Sequence, residues 1–273
     1  MPDALLTDVA RIMVDVATIE VMPRWRNLAA GDIAEKTGPE DIVTIADRLA
    51  ELALTARLQT LLPGSVVVGE EAVAADPSVL QHLRGPGPIW VIDPIDGTNA
   101  FAAGETEFTL MVALVEGGKP VAGWIVAPAL DMLAFGGIGR GVWHGATVAS
   151  ATALSRPIIP SLLTGMTGLL GKRNITEARR AELQAKEQHF RALDGVVYAG
   201  VDYMRLIRGE AHFVLYSKTE PWDHLPGLAM LAAHGYTASK HDGQPYLPGD
   251  NTGGLLVAPD RASFTEIQRI LLG

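Results

Sequence analysis

Two stretches constrain the fold more than anything else in the chain. SVVVGEE (residues 65–71) and PIWVIDPIDGT (residues 88–98) are each a short apolar run that ends abruptly in acids. Runs without polar alternation belong to strands covered on both faces, and such strands need packing layers above and below. The loops at the ends of buried strands form a functional rim, so Glu70, Asp93 and Asp96 are expected to face a crevice.

The remaining text supplies the layers. Val9, Ile12, Met13, Val16 and Ile19 repeat at helical spacing and predict a helix from Ala4 to about Ala29. A polar loop, GDIAEKTGPED, separates it from a second predicted helix, Ile42 to Leu62. Ile45, Leu49, Leu52, Ala53 and Ala56 form one side of that helix, and Pro63-Gly64 ends it. From Phe108 to Gly145, β-rich segments punctuated by Gly and Pro predict an antiparallel meander that closes a first half, residues 1–145. The second half, residues 146–273, reads as a polar helix from Ile175 to about Arg191 and a helix from Val201 to Arg208. A strand at Ala211 to Tyr216, a helix after Trp222-Asp223, a strand near Gly254 to Val257 and a last helix to Leu272 complete it. Helices alternating with a mixed sheet in both halves predict an α/β (α+β) layered sandwich, one compact unit of two halves. At 273 residues and 48% hydrophobic, the chain has enough apolar surface for such a core.

Charge removes some functions from consideration. A net charge of -9 with no basic run argues against a nucleic-acid surface, which needs clustered Lys and Arg. The most apolar window, Val121 to Leu130, is about half the roughly 20 residues needed to cross a bilayer. The acidic N-terminus does not read as an export signal, and a cytoplasmic protein is expected. Without cysteine there is no disulfide, thiolate metal site or Cys nucleophile. The seven His show no metal-ligand spacing and read as packing or surface residues, while Trp90, Trp124, Trp143 and Met111 read as core.

The acids then need an account. Asp96 alone reads equally as a turn or helix-cap residue and as a functional acid, Asp223 alone reads as an N-cap, and Asp47 alone as a solvated helix carboxylate. Pro94 helps to hold Asp93 and Asp96 in a tight bend. Two ionised carboxylates about 4 Å apart repel by roughly 1 kcal/mol in water and several times more in a partly buried site. A shared proton, a basic partner or a cation must offset this, and no Lys or Arg lies within Trp90 to Phe101. An all-oxygen donor set suits Mg²⁺. Gly97 and Thr98 follow directly, where a glycine lets backbone amides approach an anion at a helix start. Carboxylates for a metal beside amides for phosphate point to phosphoryl chemistry.

Four motifs in order, EKTGPEDIVTIAD (35–47), GEE (69–71), DPIDGT (93–98) and PWDHLPG (221–227), with support from GRGVWHG (139–145), make the chain resemble the inositol monophosphatase family of Mg²⁺-dependent, lithium-sensitive phosphatases. The resemblance implies an αβαβα sandwich of the inositol monophosphatase and fructose-1,6-bisphosphatase type, and a homodimer. It implies that Glu70, Asp93 and the Ile95 carbonyl hold one Mg²⁺ and Asp93, Asp96 and Asp223 a second, with Glu70 supporting a third through water. Asp47 and Thr98 would activate the attacking water, the Gly97 and Thr98 amides would grip phosphate, and Lys36 would lie at the rim. Glu71 and His224 receive no fixed role.

The expected function is hydrolysis of a small polyol or sugar phosphate. The alternatives are 3'-phosphoadenosine 5'-phosphate, fructose 1,6-bisphosphate or histidinol phosphate as substrate, or a non-catalytic regulatory member. Inositol-recognising members place a Glu seven residues before the last motif Asp; Tyr216 stands there, so inositol specificity does not carry over. Asp202 and Arg205, in YAGVDYMRL, are candidates to reach the leaving group.

Overall fold

The computed structural model describes residues 3–29, 31–38, 41–171 and 176–273, apart from the side chains of Thr37, Arg179 and Arg180. Helix α1 (Ala4–Val16) is capped by the Asp3 carboxylate, which accepts from the Leu6 amide. Strands β1 (Ile33–Gly38) and β2 (Asp41–Thr44) form an antiparallel hairpin, followed by α2 (Ile45–Leu61). Strand β3 (Val66–Gly69), helix α3 (Glu70–Ala75) and strand β4 (Ile89–Asp96) come next, then the short helix α4 (Thr98–Ala103). The meander is β5 (Thr109–Glu116), β6 (Lys119–Ala127), β7 (Met132–Gly137) and β8 (Gly141–Gly145), extended by β9 (Thr152–Leu154). Strand β10 (Thr167–Leu170), helix α5 (Glu177–Lys186), strand β11 (Ala192–Gly195), helix α6 (Ala199–Ile207) and strand β12 (Phe213–Tyr216) lead to α7 (Pro221–Ala233). Strands β13 (Thr237–Ser239) and β14 (Leu255–Ala258) precede the last helix, α8 (Arg261–Leu271).

Two larger sheets result. The first has the order β3-β4-β5-β6-β7-β8-β9, antiparallel except for β3 beside β4. The second has the order β11-β10-β12-β14-β13. One core cluster packs Leu6, Val9 and Met13 of α1 and Ala46, Leu54 and Leu58 of α2 against Trp90, Val112 and Trp124 on one face of the first sheet. The opposite face presents Met111, Ile125 and Ala134 to Met204 and Ile207 of α6 and Leu228 and Met230 of α7. Beneath those helices lie Leu169, Val214 and Val257 of the second sheet. That sheet's outer face, with Phe213, Leu215 and Leu256, is covered by Leu183 of α5 and by Phe264 and Ile267 of α8. The layers are therefore helix, sheet, helix, sheet, helix, the αβαβα sandwich that was expected.

Several predicted boundaries differ, each for a physical reason. The first helix does not run to Ala29: after Val16 it becomes a π-turn from Ala17 to Val21, closed by the Met22 amide on the Ala17 carbonyl at 2.8 Å. Continued α-helical phase would place Glu20 seven residues beyond Met13, on the core face. The wider turn buries Val21 instead and leaves Ile19 61% exposed. The segment read as a polar loop and the start of a helix is the β1–β2 hairpin, although its Pro39 and Glu40 lie outside the described residues. In α2 the buried face is Ala46, Ala50, Leu54 and Leu58 together with Asp47 and Glu51, whereas Leu52 is 68% exposed. Two acids on the inward face misled the apolar pattern. The helix predicted from Ile175 is α5, which begins at Glu177 and gives way to a tight turn at Glu187–His189; Ile175 itself is outside the described residues. Strands β9 and β13, three residues each, fall below the length at which periodicity is readable, and the four-residue β10 and β11 were not read from the sequence either.

Among the described residues, no helix is long and apolar enough to cross a membrane.

Candidate active site

Because β3 and β4 are parallel, with Gly69 opposite Ile92, their carboxyl ends lie side by side. Glu70 opens α3 directly after one of them, and Asp93 and Asp96 close the other. In a regular strand, residues three apart point to opposite faces. Here the pairing slips: Asp93 lies opposite Met111 and Asp96 opposite Thr109, three steps of β4 against two of β5. A bulge of this kind turns both carboxylates to one side, and Pro94, with no N–H to contribute, sits where the ladder is broken. Asp223 arrives in the first turn of α7, whose N-cap is Glu220 rather than Asp223. Asp47 arrives in the first turn of α2.

The charges of these acids act on one another. Burial pushes the Asp93 carboxyl well above the usual range, and the charges of Glu70, Asp96, Asp223 and Asp47 push it the same way. Asp223 is raised likewise, first by burial and then by Asp96 and Glu70. Burial raises Asp96 to about 6 against the opposing effect of the Gly200 amide, 2.7 Å from its Oδ2. Asp96 thus caps the distant α6, not the helix that follows it in sequence. Asp93 Oδ1 is buried with no hydrogen-bond partner among the described residues. Such an orphaned oxygen calls for a proton or a cation.

Among the described residues, no group of three acid or histidine side chains is arranged to hold a metal ion. Instead, the Lys36 ammonium lies 2.8 Å from Glu70 Oε1 and 2.5 Å from Glu71 Oε1. Burial acts to lower the Lys36 pKa, but the two carboxylates outweigh it and raise it. The orphaned oxygen and the all-oxygen donor set fit a hard divalent cation. His224 is not part of that set. Its Nδ1 is 3.2 Å from the Tyr203 hydroxyl and its Nε2 3.0 Å from the Lys218 carbonyl, and burial lowers it to about 4, which leaves it a neutral packing residue.

Asp47 is 0% exposed, not the solvated carboxylate that it resembles in isolation. Its Oδ2 accepts from the Thr44 amide at 2.8 Å and the Thr44 hydroxyl at 2.5 Å, and its Oδ1 faces the Thr98 hydroxyl at 3.1 Å. That hydroxyl also lies 2.9 Å from the Ile95 carbonyl. Gly97 adopts φ 89°, a left-handed conformation that turns the chain from β4 into α4. A side chain there would also press on the Glu107 carbonyl and the Tyr198 ring.

The structure does not turn the remaining candidates outward. Asp202 is fully buried and accepts from the Val197 amide at 3.2 Å and the Tyr216 hydroxyl at 3.4 Å. Tyr216 is buried too, and Arg205 is tied to Asp194 at 2.6 Å. The Asp202–Tyr216 contact joins α6 to β12, and the Arg205–Asp194 pair joins α6 to β11. An open cleft of about 1130 Å³ fronts the cluster, lined among others by Lys36, Arg48, Glu70, Lys218, Glu220 and Asp223. Sequence reading missed Arg48, Lys218, Glu220 and Glu51. Only Glu51 had a visible signal, as an acid one helical turn after Asp47.

The raised carboxyls have a consequence for stability. Asp47, Glu51 and Asp202 each reach about 7 through burial, and Asp96 about 6, from ordinary values near 4. Between those limits the folded chain holds more protons than the unfolded chain. This stabilisation is present below the unfolded values and is lost as pH rises through the folded ones. The metal-free protein is therefore expected to melt higher at about pH 5 than at about pH 8. Calorimetry showing the reverse order would contradict the burial of this cluster.

Comparison with known proteins gives the class and the family. The chain is a phosphoric monoester hydrolase. It belongs to the inositol monophosphatase family, whose sequence model matches residues 5–270. Inositol-1-monophosphatase of Bacillus subtilis is 26% identical over 216 residues, 78% of each chain. The 3'(2'),5'-bisphosphate nucleotidase CysQ of Escherichia coli is 27% identical over 240 residues, 81% of this chain and 91% of that one. The structure of the extragenic suppressor protein suhB from Bartonella henselae matches with a TM-score of 0.79 over 98% of both chains; at 20% identity it shows the shared fold.

Proposed function

We propose that this enzyme hydrolyses the phosphate monoester of a small polyol or sugar with Mg²⁺ as cofactor. The observation that carries the reading is the orphaned Asp93 carboxylate among Glu70, Asp96 and Asp223, next to the Asp47–Thr98 pair. Glu70, Asp93 and the Ile95 carbonyl would hold one Mg²⁺ and Asp93, Asp96 and Asp223 a second, with Glu70 supporting a third through water. Bound there, Mg²⁺ supplies charge neutralisation for the attacking and leaving oxygens and acidifies a water. The Thr98 hydroxyl orients the attacking water, and Asp47 takes up the proton relayed through it. The Gly97 and Thr98 amides, at the start of α4, hold phosphate oxygens, with Lys36 at the rim. A cytoplasmic homodimer belongs to the same reading by family likeness.

A second substrate class has its own support. Arg48 and Lys218 bring two further cations from separate elements to the cleft, beside Lys36, which is held by Glu70 and Glu71. Together with the similarity to bisphosphate nucleotidases, this supports 3'-phosphoadenosine 5'-phosphate as an alternative substrate. Phosphate release from a set of these esters, measured with and without Mg²⁺, separates the readings. Mg²⁺-dependent release is expected, with inhibition by Li⁺ at millimolar concentration. No Mg²⁺-dependent release from any ester would move the protein to a regulatory, non-catalytic role.

A further inference from the structure

Glu51 takes no part in the chemistry above, yet both oxygens of its carboxylate are held by backbone amides. It is 7% exposed, with Oε2 2.8 Å from the Glu71 amide and Oε1 2.8 Å from the Ala72 amide. These are amides of the first turn of α3, the helix that begins with Glu70. The helix's own N-cap, Gly69, has no side chain to offer them. A Cβ at Gly69 would collide with the carboxyl carbon and both oxygens of Glu51, so the capping position is kept clear for a carboxylate delivered by another helix. Asp47 lies one turn earlier on the same buried face of α2 and meets the Thr98 hydroxyl. A single helix face thus grips both sides of the site.

We infer that Glu51 is a positioning residue for the metal ligand Glu70: it acts through the α3 amides, and α2 sets the spacing between Glu70 and the Asp47–Thr98 pair. The inference rests on the Mg²⁺ reading proposed above. A bidentate contact to two successive amides fixes the direction of the first turn of α3 as well as its existence. Groups that orient a ligand in this way typically cost about 10- to 100-fold in metal affinity when removed.

The test is a Mg²⁺ titration of wild type, Glu51→Gln and, as a control for simple loss of packing, Leu58→Ala. Three quantities are read: the Mg²⁺-induced rise in melting temperature, the Mg²⁺ concentration for half-maximal phosphate release, and KM for the ester. Glutamine keeps the size but turns an amino group toward one of the amides. Glu51→Gln is expected to raise half-saturating Mg²⁺ by about tenfold, to shrink the thermal response to match, and to leave KM for the ester within about twofold. Leu58→Ala is expected to lower the melting temperature with no change in half-saturating Mg²⁺. If Glu51→Gln behaves like Leu58→Ala, the positioning role is overturned. If Glu51→Gln does not fold, Gly69→Ala displaces the same carboxylate from the other side and is expected to give the same Mg²⁺ shift. An unchanged Mg²⁺ dependence in Gly69→Ala, or failure of both variants to fold, leaves Glu51 a purely structural cap and overturns the inference. A wild type without any Mg²⁺ response removes the metal reading itself, an outcome visible before the variants are compared.

Discussion

Asp93→Asn is expected to reduce phosphate release by at least about a thousandfold, the upper range for removing one preorganised electrostatic group. The same substitution is expected to raise the melting temperature of the metal-free protein. Asp93 has a buried oxygen without a partner and is pressed upward in pKa by burial and by four neighbouring acids. An isosteric amide keeps the volume and removes the repulsion. Each carboxylate pair at about 4 Å costs roughly 1 kcal/mol in water and several times that when partly buried. For a chain of this size, a gain of that order corresponds to about 2–4 °C per kcal/mol. A metal-free Asp93→Asn protein that melts several degrees lower than wild type would sink this account of the cluster, whatever happened to activity.

Asp47→Asn should be equally visible in activity and opposite in stability. Phosphate release is expected to fall by about 10²- to 10⁴-fold, the usual range for a general base. Melting is expected to fall as well, because the Asp47 oxygens are satisfied where the Asp93 oxygen is not. One oxygen accepts from both the amide and the hydroxyl of Thr44, and the other faces the Thr98 hydroxyl. Asparagine keeps a single acceptor oxygen, so if it retains the two Thr44 donors, the Thr98 hydroxyl loses its carboxylate partner and is left with the Ile95 carbonyl, at a cost of about 1 kcal/mol. Two identical Asp→Asn changes with opposite signs in melting would separate a carboxylate that awaits a cation from one already held by the fold. Equal signs would mean that the two acids share one environment.

The contrast also shows where sequence reading reaches its limit. β4 was legible because Ile89–Ile92 form a continuous apolar run that ends in acids, and the meander was legible because Gly and Pro mark its turns. The hairpin of β1 and β2 was not: its polar residues pair backbone to backbone, and that pairing leaves no apolar pattern. α2 was found but rotated, because the residues that turn inward include Asp47 and Glu51. Asp202 and Tyr216 stood at positions that invited a substrate role, yet they hydrogen-bond to each other inside the protein.

The sequence by itself determined the layered architecture, the family motifs and the identity of the acids at the ends of β3 and β4, since apolar runs, turn residues and motif spacing are local properties of the chain. Only the tertiary structure decided which acids are buried, which of them are satisfied, and that α2 holds Thr98 with one carboxylate and α3 with the next. A carboxylate's state depends on the donors, charges and water around it. In this protein those neighbours come from segments as far apart as residues 36, 96 and 223, whose proximity no local pattern encodes.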